Sequence, residues 1–122
     1  VQRHVAVTGA GKIMNPKTAR SQIIGGCVWG IGMALTEASV LDRRWGNLVT
    51  RTYNDYYVTA HLDVGPIDVA FIPEEDYVVN KLGIKGVGEV GIVGVAAAIA
   101  NAVFNATGKR VRDLPITPDK LL

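Results

Sequence analysis

The chain has 122 residues, 48% of them hydrophobic, and its 13 basic and 11 acidic side chains leave a net charge of +2. That length and apolar content predict one compact α/β unit burying about two-thirds of the surface its unfolded form exposes. Charge this close to balance, with basic residues scattered except at Lys109-Arg110-Val111-Arg112, excludes a basic groove for nucleic acid, and the lone Cys27 excludes an internal disulfide or a thiolate metal cage.

From the first residue, 1–8 alternates apolar and polar side chains, Val5 and Val7 among them, and predicts a strand with no long apolar leader. The expected compartment is the cytoplasm, with the periplasm left open. A glycine-containing turn over 9–14 leads to Asn15-Pro16, an N-cap followed by proline at the first helical position, so a helix is predicted over about 17–40. Gly25, Gly26, Gly30 and Gly32 each cost that helix about 1 kcal/mol relative to alanine. Something must therefore approach it closely: another backbone, or a cofactor lying on the glycine face. Trp29 and Met33, at i and i+4, read as core, and Cys27 as a small buried hydrophobe.

Residues 42–52 predict two short strands around Trp45-Gly46-Asn47. Residues 53–60 read as irregular or short-strand material; Tyr53, Tyr56 and Tyr57 suit either a pocket wall or ordinary aromatic packing. His4 and His61 are too isolated for a zinc site. A strand is predicted over 66–72, and Glu74-Glu75-Asp76 reads as a solvated acidic loop, because consecutive side chains diverge.

Lys85-Gly86-Val87-Gly88-Glu89 comes next, followed by an 18-residue charge-free run over 90–107. The run is too rich in glycine, asparagine and alanine to insert in a membrane and predicts a helix buried on most sides. At its mouth, desolvation would raise the Glu89 pKa while the helix dipole and Lys85 lower it, the competition by which a general base is tuned. The plain alternative is a glycine turn with a solvated glutamate. Gly86 and Gly88 suit positive φ or close approach of a ligand. The same residues spell G-x-G-x-x-G over 86–91, with Asp113 at the spacing a dinucleotide fingerprint wants, but 80–85 is not an apolar strand and Glu89 would oppose a pyrophosphate. The Lys109–Arg112 cluster suits the carbonyl end of the helix, 111–116 reads as extended, and 118–122 as a last helical turn. The whole predicts two long helices packed on short, mostly antiparallel or mixed strands, an α/β (α+β) arrangement over 1–122.

Asn15-Pro16, Ser21-Gln22-Ile23-Ile24-Gly25-Gly26, Trp29-Gly30-Ile31-Gly32, Leu35-Thr36-Glu37, Asn54-Asp55-Tyr56, Gly65-Pro66-Ile67-Asp68-Val69, the Lys85–Glu89 motif and Ala98-Ile99-Ala100-Asn101-Ala102 occur in this order. Together they resemble the C-terminal part of the molybdenum-binding subunit of the xanthine dehydrogenase and aldehyde oxidase family. The resemblance spans nearly the whole chain and implies a piece of a molybdopterin-binding domain that is inactive alone. It implies hydroxylation of an aldehyde or N-heterocycle carbon with water-derived oxygen. Glu89 matches the family glutamate that deprotonates a hydroxyl on molybdenum, and Gln22 a glutamine bonded to the pterin. Gly25, Gly26, Gly86 and Gly88 match positions of close approach to the cofactor, and none of these residues ligates the metal. Implied partners are the remainder of the subunit, a small-molecule substrate, and 2Fe-2S and FAD domains or subunits, with no nucleic acid and no membrane; the isolated piece should self-associate. Ile24 and Trp29 stand where many members have Glu and Gln, and 80–83 lacks the usual proline, which implies an altered substrate pocket. A non-catalytic assembly module is the alternative reading, and a nucleotide-binding module a weaker one.

Overall fold

The computed structural model describes residues 1–122. The first strand, β1 (His4–Gly9), is shorter than the alternation predicts and lies parallel to β4 (Ile67–Ile72), with His4 opposite Ile67 and Gly9 opposite Ile72. Parallel pairing needs a long crossover, and it contains α1 (Pro16–Leu35). Ala6, Ile67, Val69 and Phe71 pack from the sheet against the core. On the opposite face Val5 and Val7 are 55% and 62% exposed beside Ile72. The alternation in β1 is real but its valines point outward, leaving an apolar sheet face uncovered.

Helix α1 begins as the sequence predicts: Asn15 Oδ1 accepts from the Lys17 and Thr18 N–H groups and Pro16 supplies its fixed φ at the first position. It ends at Leu35, five residues before the predicted boundary at 40. There the Thr36 and Glu37 N–H groups both donate to the Gly32 carbonyl, Thr36 Oγ1 donates to the Tyr57 carbonyl (2.9 Å), and Tyr56 donates its hydroxyl to Glu37 (2.7 Å). These bonds to the 56–59 segment replace the ones another helical turn would supply. The buried stripe Ala19, Ile23, Gly26, Cys27, Gly30, Ile31 and Ala34 follows helical spacing. Trp29 is 60% exposed and Met33 38%, so neither is the core residue its spacing predicts. Cys27 is fully buried, and burial raises its thiol pKa.

The strands β2 (Leu41–Asp42) and β3 (Asn47–Leu48) form the predicted antiparallel hairpin, closed by Gly46 at φ +65. Helix α2 (Val95–Thr107) starts later than the charge-free run implies, because residues 88–94 form consecutive turns. Gly91 explains the delay: a Cβ there would lie 2.7 Å from the Ile23 carbonyl oxygen, and one on Gly26 would lie 2.8 Å from the Ile92 nitrogen. Two backbones meet at bare glycines, and the chain turns to bring them together. Val95 then seats over Gly30.

Only Val95 and Ile99 of α2 are buried, so this helix is covered along one stripe and not on most sides. No helix is long and apolar enough to cross a membrane. Gly108, at φ +73, closes α2 by donating its N–H to Phe104 O (2.7 Å). The basic cluster does not cap those carbonyls as predicted: Lys109 donates to the carbonyls of Leu121 and Leu122, while Arg110 bonds Asn101 and lies over the Phe104 ring.

Ile23, Cys27, Ile31, Ala34, Val95, Ile99 and Ile116 make one core, with the Ile116 N–H donating to Ala34 O (2.7 Å). The exposed area is 8753 Å², against about 6,300 Å² for a self-contained protein of this mass. Folding therefore covers about half of the unfolded chain's surface instead of the predicted two-thirds.

Candidate functional site

Three segments converge beside the first half of α1. After β1 the chain turns sharply at Gly11, whose φ of +62 suits glycine and whose Cβ would lie 2.5 Å from the Gly83 carbonyl oxygen. The Lys12 N–H donates to that carbonyl (2.8 Å), and Gly11 forms an isolated bridge with Ile84. Asn80 shapes the approach to the glycine motif: its Nδ2 donates to Ile84 O (2.6 Å), and its Oδ1 accepts from the Leu82 and Ile84 N–H groups. Residues 84–88 are thereby laid along residues 10–15 and α1, enclosing a hollow of about 260 Å³ lined by Lys12, Asn15, Thr18, Gln22 and Val87 among others.

Lys85 is fixed by two carboxylates. Its Nζ lies 2.5 Å from Glu74 Oε1 and 3.1 Å from Asp76 Oδ2, and Glu74 Oε2 accepts the Gly11 N–H (3.1 Å). All three side chains are about 30–35% exposed. Lys85 holds the Glu74 carboxyl below the usual carboxylate range, helped by the Gly11 N–H, and does the same to Asp76 with help from the Val78 N–H. The two carboxylates in turn raise the Lys85 ammonium. The acidic loop is therefore not simply solvated. Consecutive side chains do diverge, but Glu74 and Asp76, two apart in the chain, both reach Lys85. That i, i+2 spacing, with Lys85 the one basic residue between Lys81 and Lys109, was the available signal.

Gln22 and Gly88 face each other: the nearest atom to a Cβ built on Gly88 is Gln22 Oε1, at 4.0 Å. Gly25 and Gly86 have no atom within 4 Å of such a Cβ. Neither Gly86 nor Gly88 has positive φ, so the fold of this chain does not itself require glycine at 86 or 88. Gly26 differs. It is buried, and its missing side chain is accounted for by contact with the backbone at 91–92.

Glu89 is exposed, and no hydrogen bond or ion pair engages its carboxylate. Two parts of its expected environment differ from the sequence reading. Helix α2 begins only at Val95, so its dipole, which acts within a turn, does not reach Glu89, and Lys85 is directed to Glu74 and Asp76. The fingerprint over 86–91 likewise has neither a strand before it nor a helix directly after it. No group of three or more His, Cys, Asp or Glu side chains is placed to hold a metal ion. A second hollow of about 280 Å³, with Ile24, Val28, Thr59 and His61 in its wall, shares no lining residue with the first. Of the tyrosines, Tyr56 bonds Glu37, whereas Tyr53 and Tyr57 are 87% and 67% exposed.

A family described as the molybdopterin cofactor-binding domain matches residues 1–65, more than half of the chain. The aldehyde oxidoreductase molybdenum-binding subunit PaoC of Escherichia coli is 52% identical over 122 residues, covering 100% of this chain and 17% of that protein. The aldehyde oxidoreductase of Desulfovibrio desulfuricans superposes with a TM-score of 0.87 at 31% identity, over 100% of this chain and 13% of that one. Quinoline 2-oxidoreductase from Pseudomonas putida gives a TM-score of 0.86 at 33% identity, over 96% of this chain and 15% of its own. The chain thus spans about one-sixth of the length of PaoC.

Proposed function

Because the chain belongs to the molybdopterin cofactor-binding domain family, we propose that it is part of a molybdenum hydroxylase, contributing one wall of the cofactor site and the general base. The observation that carries this reading is that a free amide, Gln22, faces the exposed Gly88, while the exposed Gly86, two residues before it, has no other atom of this chain against it. Such a surface fits a flat heteroaromatic ring: glycines admit close approach, and the amide presents donors and an acceptor to the ring edge. Gly25 adds open surface on the same helix. Gly26 supports the site indirectly, by letting the 91–92 backbone dock on α1.

When bound, the cofactor would supply a two-electron oxidation with oxygen drawn from water. In that oxidation the substrate carbon would give up its hydrogen as one proton and two electrons and gain the oxygen, the electrons leaving to 2Fe-2S and FAD centres on other domains or subunits. Among this chain's residues, Glu89 accepts the proton that activation of water releases. It suits the task because its carboxylate is engaged by no other group and sits next to the open glycines. The substrate class favoured is an aldehyde, on the strength of 52% identity to PaoC, with an N-heterocycle the other class. The remaining wall would come from the rest of the subunit.

Glu89→Gln in the complete, cofactor-loaded subunit tests this. Size and hydrogen bonding are kept and the base is lost, so kcat falls by about 10²- to 10⁴-fold at unchanged molybdenum content. Turnover at the parental rate would refute the assignment.

A further inference from the structure

We propose that Lys85, Glu74 and Asp76 form a latch that sets the position of Glu89, which makes Lys85 a positioning residue. The inference rests on the reading of Glu89 as the general base. Its ground is the way the loop is held. Residues 85–94 contain four glycines, at 86, 88, 91 and 94, and glycine gives the unfolded and misplaced states of a loop the most conformational freedom. Gly86 and Gly94 have nothing against them, and Gly88 has only the edge of Gln22. Downstream of Glu89 the backbone is fixed where Gly91 meets Ile23 and Gly26; upstream, Val87 lies against the core and Lys85 is clamped by the two carboxylates.

Glu74 does more than neutralise Lys85. It also accepts the Gly11 N–H, so one carboxylate ties together the turn after β1, the segment after β4 and the glycine loop. A cation with two carboxylates carries a net negative charge, and removing the lysine leaves those carboxylates, both partly buried, repelling each other. The segment 74–76 would then move away from residues 84–88, and the loop between Lys85 and Gly91 would lose its upstream anchor.

The test uses the complete subunit. Lys85→Met should raise amide exchange at Gly11 and at residues 86–89 of the cofactor-free subunit by about tenfold or more. In the loaded enzyme kcat should fall by about 10- to 100-fold, the range seen when an outer partner of a reacting group is lost, with KM and molybdenum content unchanged. Lys85→Arg, which keeps the cation, should recover most of the rate. In a Glu89→Gln background Lys85→Met should cost nothing further, because the group it positions is gone. Unchanged exchange with parental kcat would overturn the latch, as would an equal additional loss in the Glu89→Gln background. If Lys85→Met does not assemble, Asp76→Asn decides by the same exchange and kcat measurements: increases and losses of severalfold support the latch, and parental values overturn it. If Glu89→Gln alone turns over normally, the general-base reading fails, and amide exchange in the cofactor-free protein still decides whether Lys85 holds the loop.

Discussion

Gly88 tests whether the loop serves a ligand and not its own fold. Its φ is not positive, and a Cβ would meet only Gln22 Oε1, at 4.0 Å. Gly88→Val should therefore leave the cofactor-free subunit as stable as the parent, or more stable by about 0.4–1 kcal/mol through a stiffer unfolded chain. The same variant should lower molybdopterin retention, because the side chain projects into the space before Gln22. A fall in the thermal midpoint of the cofactor-free protein would show that glycine is needed for folding. Gln22→Ala should weaken cofactor retention or activity by about 10- to 100-fold while leaving the thermal midpoint of the cofactor-free protein in place, as α1 keeps its cap and its buried stripe. The latch also has a defined pH range. Glu74 and Asp76 have lowered pKa values, so their contribution is complete above the ordinary carboxylate values of about 4 and is lost as pH falls through the lower folded values. Lys85 is raised, so its contribution is complete below about 10 and is lost as pH rises through its folded value. Protection factors at residues 85–88 should be flat from about pH 5 to 9 and drop in stronger acid; a drop near neutrality would contradict the ion pairs described.

At the scale of elements, the junction of α1 with residues 91–95 organises the site. Gly26 and Gly91 let backbone touch backbone, and Gly30 receives Val95. Gly26→Ala places a Cβ 2.8 Å from the Ile92 nitrogen, which only a backbone shift relieves. The expected cost is about 1–3 kcal/mol despite alanine's better helix propensity, read as a lowered midpoint in chemical denaturation. Gly25→Ala is the control: with nothing within 4 Å, it should gain up to about 1 kcal/mol from propensity. Equal effects at both positions would mean that the two segments do not touch. The glycines of α1 had two readings on sequence, and this chain divides them, with Gly26 and Gly30 packing and Gly25 open.

For the whole molecule, the exposed area exceeds that of a self-contained protein by about 2,400 Å², within the range of obligate interfaces. The outward valines of β1, the uncovered side of α2 and exposed Trp29 and Trp45 account for the character of that surface. The isolated chain should therefore associate, and light scattering at about 10 μM should report a dimer or larger species. A stable monomer would mean that this surface is tolerated by water and needs no cover.

Element types, the α1 cap, the hairpin turn and burial of Cys27 were legible in the sequence, because each depends on a few neighbouring residues: Asn15-Pro16, Gly46, the alternation over 66–72. Where α1 stops, where α2 begins, which face of β1 is covered and what Lys85 binds were not. Each of these is settled by a partner distant in the chain: Tyr57 for Thr36, Ile23 for Gly91, α1 for the inner face of β1, Glu74 and Asp76 for Lys85. Proline apart, local propensities differ by at most about 1 kcal/mol per residue, so one buried contact or charge-assisted hydrogen bond between remote segments outweighs them. Such contacts exist only once the chain has folded.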